Sequence, residues 1–289
     1  MKSTINFMKK FISDRRLLSS FTSIKYYDHE TRPYIYIDQP EILAGFAGYL
    51  KFQCLKLKIG SNVFCRGQRN DYPTIPSLFR DEKHLPLTHD HLQVRWAAYQ
   101  DLVSKTPSLY KASRFSKERI DPIFQHYGLK TPWLDLVDNL FIALWFATNK
   151  YDTDEAGKVR YITSRKKYGR LYFYVINQET EYYDLRKRHS SLSLRLHVQH
   201  GISMTRNKPQ WNISNRNLDD YLIATVKFPN NKYWRPIGHL FSAKFLFPSQ
   251  RLDNTYKYLM RDKFRDLLSK ITKKYNLNED ELGGVSNFG

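Results

Sequence analysis

The spacing of hydrophobic and polar positions along the 289 residues changes period several times, and each change marks an element. Residues 1–37 mix basic and aromatic clusters without a clear period, so residues 1–39 read as an appended arm. Asp38-Gln-Pro40 has the form of a helix start, a cap followed by proline in the first turn, and predicts a helix through EILAGFAGYLKF. The apolar run Asn62–Cys65 predicts a strand leading into an Arg-Gly turn. Helices are predicted at His89–Lys105 and Ser116–Tyr127, with Gly128 as the stop of the second. Pro132 forces Thr131 into an extended conformation, and a short strand or turn then carries Leu134 and Asp135. Asp138 can cap a helix that is apolar nearly all round and is therefore expected to be fully buried. β-Branched and aromatic residues predict strands at Arg170–Ile176 and Leu222–Phe228, and a last helix is expected near Asp253–Tyr275.

Composition narrows the class. With 41% hydrophobic and 26% charged residues the chain has an ordinary globular balance. The longest apolar run, Phe141 to Ala147, is too short to cross a bilayer. The basic N-terminus lacks an apolar core and a small-residue cleavage site, so no secretory signal is expected. Two cysteines exclude a disulfide framework, and no Cys/His cluster has zinc spacing; a reducing cytoplasm is the expected compartment.

Charge adds a partner. The net charge is +19 and unevenly placed: residues 158–275 carry 25 Lys/Arg against 8 Asp/Glu, whereas residues 1–157 carry 22 against 17. Such an asymmetry suggests a polyanion, most simply nucleic acid, RNA or single-stranded DNA. Tyr168, Tyr172, Tyr182, Tyr183, Trp211, Tyr233 and Trp234 are interleaved with that charge, and such rings can stack on unpaired bases.

The stretch NVFCRGQRNDYPTIPSLFR brings Arg66, Gly67 and Gln68 to the end of a strand, with Arg80 following. An arginine beside an exposed backbone N–H can hold a phosphate or a planar amide. Three further runs stand out: FQHYGLKTPWLDLVDNLFIALWFA, RLHVQHG and KFLFPSQRL. No G-x-S-x-G, H-E-x-x-H, P-loop or G-x-G-x-x-G occurs, and His197 and His200 around Gln199 have no third ligand, so no metal is expected.

Together these runs, in this order, resemble the FRG domain, named for its Phe-Arg-Gly motif. The first run departs from the motif by carrying Cys65 between Phe and Arg. The second matches at Gln125, His126, Tyr127, Gly128, Leu129, Thr131, Leu134, Asp135, Asn139, Ala143, Leu144, Phe146 and Ala147. The resemblance covers roughly residues 40–260. It sets a domain over residues 40–250, followed by a C-terminal helix and tail over residues 251–289, and implies a toxin or phage-defence effector, with an antitoxin or chaperone as a possible protein partner.

More loosely, the order of elements is similar to ADP-ribosyltransferases of the Arg–Ser–Glu type. That resemblance implies an α+β fold: a split central sheet of short, mostly antiparallel strands with flanking helices. It also implies NAD as co-substrate. Arg66 would hold the pyrophosphate or ribose and the Gly67 backbone the carboxamide, with Gln68, Arg80, His126 and Tyr127 lining the cleft. Thr131 would stand in the Ser-Thr-Ser position and Gln199 in the glutamate position. A glutamine can accept the ribose hydroxyl but brings no charge, and Asp135 is the carboxylate that could supply it. The catalytic set is then Arg66, Asp135 and Gln199. Structural alternatives stay open: Arg66 or Arg195 paired with Asp135, His126 serving a helix end, and Tyr127 in the core. The alternatives in function are a catalytically inactive nucleic-acid-binding module and a nuclease.

Overall fold

Strict alternation in YIYI turns Ile35 and Ile37 inward, fully buried, and leaves Tyr34 and Tyr36 half-buried on the other face. The computed structural model describes residues 24–27, 32–58, 60, 62–110, 121–153, 159–177, 180–189, 191, 193–206 and 217–284. Its strands, in chain order, are β1 (Ile24–Tyr27), β2 (Tyr34–Ile37), β3 (Asn62–Gln68), β4 (Leu134–Val137), β5 (Asn149–Thr153), β6 (Val159–Thr163), β7 (Tyr168–Ile176), β8 (Thr180–Asp184), β9 (Gly201–Arg206) and β10 (Leu222–Pro229). Eight form one sheet in the order β1-β2-β10-β7-β3-β4-β9-β8, and β5 and β6 form a separate hairpin. Every neighbouring pair is antiparallel except β2 with β10.

The sheet has a seam. β3 pairs with β7 from Asn62 through Gln68, but with β4 only at Cys65↔Val137. The Cys65 thiol lies on this seam, donates to the Val137 carbonyl (3.3 Å), and is pushed up to about 12 by burial.

Two helices, α1 (Pro40–Lys56) and α2 (His89–Tyr110), precede the seam crossing; a short turn α3 (Asp121–Phe124) and α4 (Leu140–Thr148) flank β4. Leu43, Phe46 and Leu50 of α1 and Ile142 to Ala147 of α4 pack over Val63, Cys65, Phe173 and Val226. Full burial of a side chain such as Phe46 stabilises by about 1.5–3 kcal/mol. The other sheet face carries its own cluster with Phe64, Tyr172, Tyr174 and Met204. Beyond β8 come α5 (Leu185–Arg188) and α6 (Leu194–Val198), then, after β10, α7 (Arg235–Gly238), α8 (Ala243–Leu246), α9 (Asn254–Leu259), α10 (Asp262–Lys274) and α11 (Glu279–Leu282). Leu92, Tyr99, Phe124, Tyr127, Tyr256 and Phe264 form a third core, joining α2 to α9 and α10.

The α+β class and the mostly antiparallel sheet with flanking helices are as the sequence predicts. Several details differ. β1 and β2 lie in the segment set apart as an arm yet belong to the main sheet, because Ile35 and Ile37 need its core. Arg66 and Gly67 lie within β3 rather than in a turn. Asn139, not Asp138, caps α4, accepting from Phe141 N (2.9 Å) and Ile142 N (3.3 Å); Asp138 is drawn instead to Arg186 (2.6 Å) and His200 (2.8 Å). α4 is not wholly buried, since Phe141 is 42% exposed. The helix expected over Ser116–Tyr127 is described from Asp121 on, where one α turn gives way to a 3-10 turn; its first residues and Trp211 lie outside the described residues. The final helix is broken at Arg261, which is extended (ψ 147°). Phe264, Leu268 and Ile271 form one stripe, and Tyr256 and Leu259 are out of phase with it, so a single helix could not bury both sets. Among the described residues no helix is long and apolar enough to cross a membrane.

Candidate functional site

Alternation along β3 sends Val63 and Cys65 into the core beneath α1 and α4, and Phe64, Arg66 and Gln68 to the opposite side beside Tyr172. Gly67 falls on the core side. A Cβ there would lie 1.7 Å from the Ala143 carbonyl oxygen, so its glycine is required by the close approach of α4. Past Cys65 the strands β3 and β4 part, and Arg66 crosses the gap by donating from Nη1 to the Asp135 carbonyl (2.7 Å). Arg66 Nε and Gln68 Oε1 are buried without a hydrogen-bond partner.

Arg80 reaches the same place from the loop after the 3-10 turn Ser77–Phe79. Arg95 of α2, only 3% exposed, anchors that loop by donating to the carbonyls of Arg80 (3.0 Å) and Leu78 (3.5 Å). The loop then reverses tightly, with Asp81 N donating to Leu85 O and Leu87 N to Phe79 O. His84 sits in this reversal, stacks on the Tyr72 ring (3.7 Å between centroids, 23°) and meets Arg80 through Nδ1. Burial, then the Arg66 charge, hold the Arg80 guanidinium down at about 10. Burial, then Arg80 and Arg66, hold His84 down at about 4, and Arg69 acts in the same direction. Among the described residues Arg32, Arg95, Arg160, Arg170, Arg186 and Arg206 stand in ion pairs, and Arg66, Arg69 and Arg80 do not. Arg66, Arg69 and Arg80 are therefore a cationic cluster with no carboxylate bound to it among the described residues; Asp135 acts on Arg80 and Asp81 on His84.

His189, buried near His126 and His197, is also pushed down to about 4. Both His84 and His189 ordinarily titrate at 6.5, so between pH 6.5 and 4 the unfolded chain takes up protons that the folded chain refuses. Stability should be independent of these groups above pH 6.5 and decline as pH falls towards 4, by roughly 1–2 kcal/mol together after allowance for exposure. Melting temperature against pH checks this: His84→Gln with His189→Gln should flatten the decline.

Asp135 is held from behind. Gln199 is 3% exposed, and its amide nitrogen donates to the Leu246 carbonyl (2.8 Å), which can only accept. Gln199 Oε1 therefore faces His126 Nδ1 (3.1 Å), and that ring nitrogen carries a hydrogen. Nε2 is left facing Asp135 Oδ1 at 3.3 Å, an oblique ion-pair contact rather than a formed hydrogen bond. The His126 side chain is 3% exposed and that of Asp135 28%, which leaves Asp135 as the member that solvent or a ligand can reach.

Sequence reasoning thus finds Arg66, Arg80, His126 and Asp135 brought together. It places three others differently. Gln199 is sealed behind His126 and cannot meet a ribose as a glutamate would. Thr131 is fully buried, and its hydroxyl donates to Gln125 Oε1 (2.7 Å) while Ser77 donates to the same oxygen (2.8 Å). Tyr127 is fully buried and donates to Asp253 (2.9 Å) beneath Arg195, whose guanidinium lies 4.6 Å from the ring centre. Arg69, Tyr72 and His84 were missed. A second arginine three positions after Arg66 was a legible signal for Arg69, but nothing in the sequence marks the Tyr72–His84 stack.

The arginine of β3, the loop bearing Arg80 and the β4–α4 passage with Asp135 and Asn139 lie in one continuous stretch. Residues 61–156 match the FRG domain. The match takes in Arg66, Gly67, Arg80, His126 and Asp135, whereas Gln199 and Arg195 lie beyond it. No curated protein and no solved structure matches the chain. The stretch that matches the FRG domain therefore holds the cationic cluster and the part-exposed carboxylate, and α6 and α8, outside the matched stretch, supply the backing of His126.

With Gln199 in this place, both Gln199→Ala and Gln199→Glu should lower the melting temperature. The alanine leaves the Leu246 carbonyl and His126 unpaired, at about 1–3 kcal/mol. The glutamate should cost at least as much, because a carboxylate oxygen would face the Leu246 carbonyl.

Proposed function

We propose that the protein uses the Arg66–Arg69–Arg80 cluster to bind the diphosphate of NAD and acts as an ADP-ribosyltransferase-like enzyme on nucleic acid. The observation that carries this reading is the cluster itself: three part-buried arginines, none of them in an ion pair among the described residues. Guanidinium groups match phosphate oxygens in a planar fork. The orphaned Arg66 Nε and Gln68 Oε1 supply a further donor and acceptor for a ribose or carboxamide. Bound NAD would offer a nicotinamide–ribose bond whose cleavage places positive charge on the sugar. Asp135, rather than Gln199, is the carboxylate available to stabilise that charge, and His126, fixed by Gln199, sets its orientation. Positioning and charge complementarity do the work, with no covalent intermediate on the protein.

The test is incubation with NAD and total RNA, DNA or protein, reading free nicotinamide and the mass of ADP-ribose on the acceptor. Nucleotide binding without turnover would favour the inactive binding module. Absence of both would remove the reading.

A further inference from the structure

The face of the sheet that carries Arg66 continues outward past β7 and β10 to the edge at β1, and its composition changes on the way. On β10, Ala224, Val226 and Phe228 point into the core, so Thr225 and Lys227 point to this face. Lys227 is flanked in register by Tyr36 on one side and Arg170 on the other. Its ammonium lies 4.3 Å from the centre of the Tyr168 ring and 4.8 Å from that of Tyr34. Tyr34 stacks on Tyr27 (4.9 Å, 16°), and Tyr36 meets Tyr168 edge-on (6.3 Å). Lys167 reaches over Tyr168 (5.4 Å), and Lys25 is exposed opposite Tyr36. Lys25, Lys167 and Lys227 form no ion pair among the described residues; Asp38 acts on Tyr36, and Asp71 pairs with Arg170 (3.6 Å).

We propose that this outer face of β1, β2, β10 and β7 is a platform for single-stranded nucleic acid. Rings at every second residue of a strand stand about 7 Å apart, a spacing an extended strand can match with one base to each ring. Unpaired lysines between the rings answer the phosphates of the same strand. A duplex hides its base faces and offers the rings nothing. The proposal deepens the reading above by locating the acceptor, and it rests on that reading for its link to catalysis alone.

The experiment measures fluorescence anisotropy of the full chain with labelled 12-mers of oligo(U) and oligo(dT) and with a 12-bp duplex, alongside NAD cleavage without acceptor. Wild type should bind the single strands, more weakly as salt rises, and prefer them to the duplex. Tyr36→Leu and Tyr168→Leu should each weaken single-strand binding at least about fivefold, while Tyr36→Phe and Tyr168→Phe, which keep the ring, should bind as wild type. Lys227→Gln should weaken binding and flatten its salt dependence. All these variants should cleave NAD as wild type does; if wild type cleaves none, strand binding still decides the platform. Equal affinity for duplex and single strand, or folded leucine variants that bind as wild type, would overturn it. Preference for oligo(U) over oligo(dT) would assign the platform to RNA, and equal affinity to single strands of either kind.

Discussion

Arg66→Ala should reduce NAD cleavage by roughly 10²–10³ while leaving the fold nearly as stable as wild type. Among the described residues the side chain makes one hydrogen bond, to the Asp135 carbonyl, and takes part in no ion pair, so its removal costs stability about 1 kcal/mol. Its loss also relieves repulsion on Arg80 and His84, which offsets part of that cost. Arg66→Lys is the informative companion. A lysine keeps the charge but cannot both reach the Asp135 carbonyl and fork a phosphate, so cleavage should fall almost as far. Nicotinamide release and melting temperature measured on both variants separate the outcomes. A folded Arg66→Ala protein with wild-type turnover would sink the cleft assignment, and an unfolded one would make Arg66 a structural strap across the seam.

Gly67→Ala should destabilise the protein severely. Its Cβ would lie 1.7 Å from the Ala143 oxygen and 2.8 Å from both Ala143 C and Ala147 N, all backbone atoms of α4 that no side-chain rotation can clear. The helix has to move, and it follows β4 directly, so the movement is passed to the single rung at Cys65↔Val137. Overpacking of this severity costs about 3 kcal/mol or more. Gly48→Ala is the control: nothing lies within 4 Å of its Cβ, it is exposed within α1, and the change should stabilise by about 0.5–1 kcal/mol. Urea denaturation of the two variants beside wild type should move the midpoints in opposite directions.

The sequence carried the elements whose evidence is local. Enrichment in β-branched and aromatic residues marks β7 and β10, and the continuous apolar run marks α4. It carried Arg66, Arg80, His126 and Asp135 because their motif is a contiguous signature. It did not carry the depth at which a residue sits. Gln199 and Thr131 look like site residues because the resemblance to the transferases sets them in the glutamate and Ser-Thr-Ser positions. Here Leu246, from an element about fifty residues later, closes over Gln199, and Ser77 and Gln125 close over Thr131. β1 and β2 escaped as sheet strands for the same reason: four-residue strands have too little period to be read alone, and their partner β10 comes nearly two hundred residues later.

That last pairing, Ile35 with Val226, bears on how the protein is made. The chain crosses the seam between β3 and β4, returns for β7, crosses again for β8 and β9, and returns for β10. Neither half of the sheet can be completed by a stretch of chain already synthesised, and β2 has no ladder partner on its inner side until β10 has left the ribosome. Contacts this distant in sequence make for slow folding. The nascent chain therefore carries the tyrosine-bearing strand β2 with its inner edge open for most of translation, and the face shared by β2, β10 and β7 exists only once the last strand has been added.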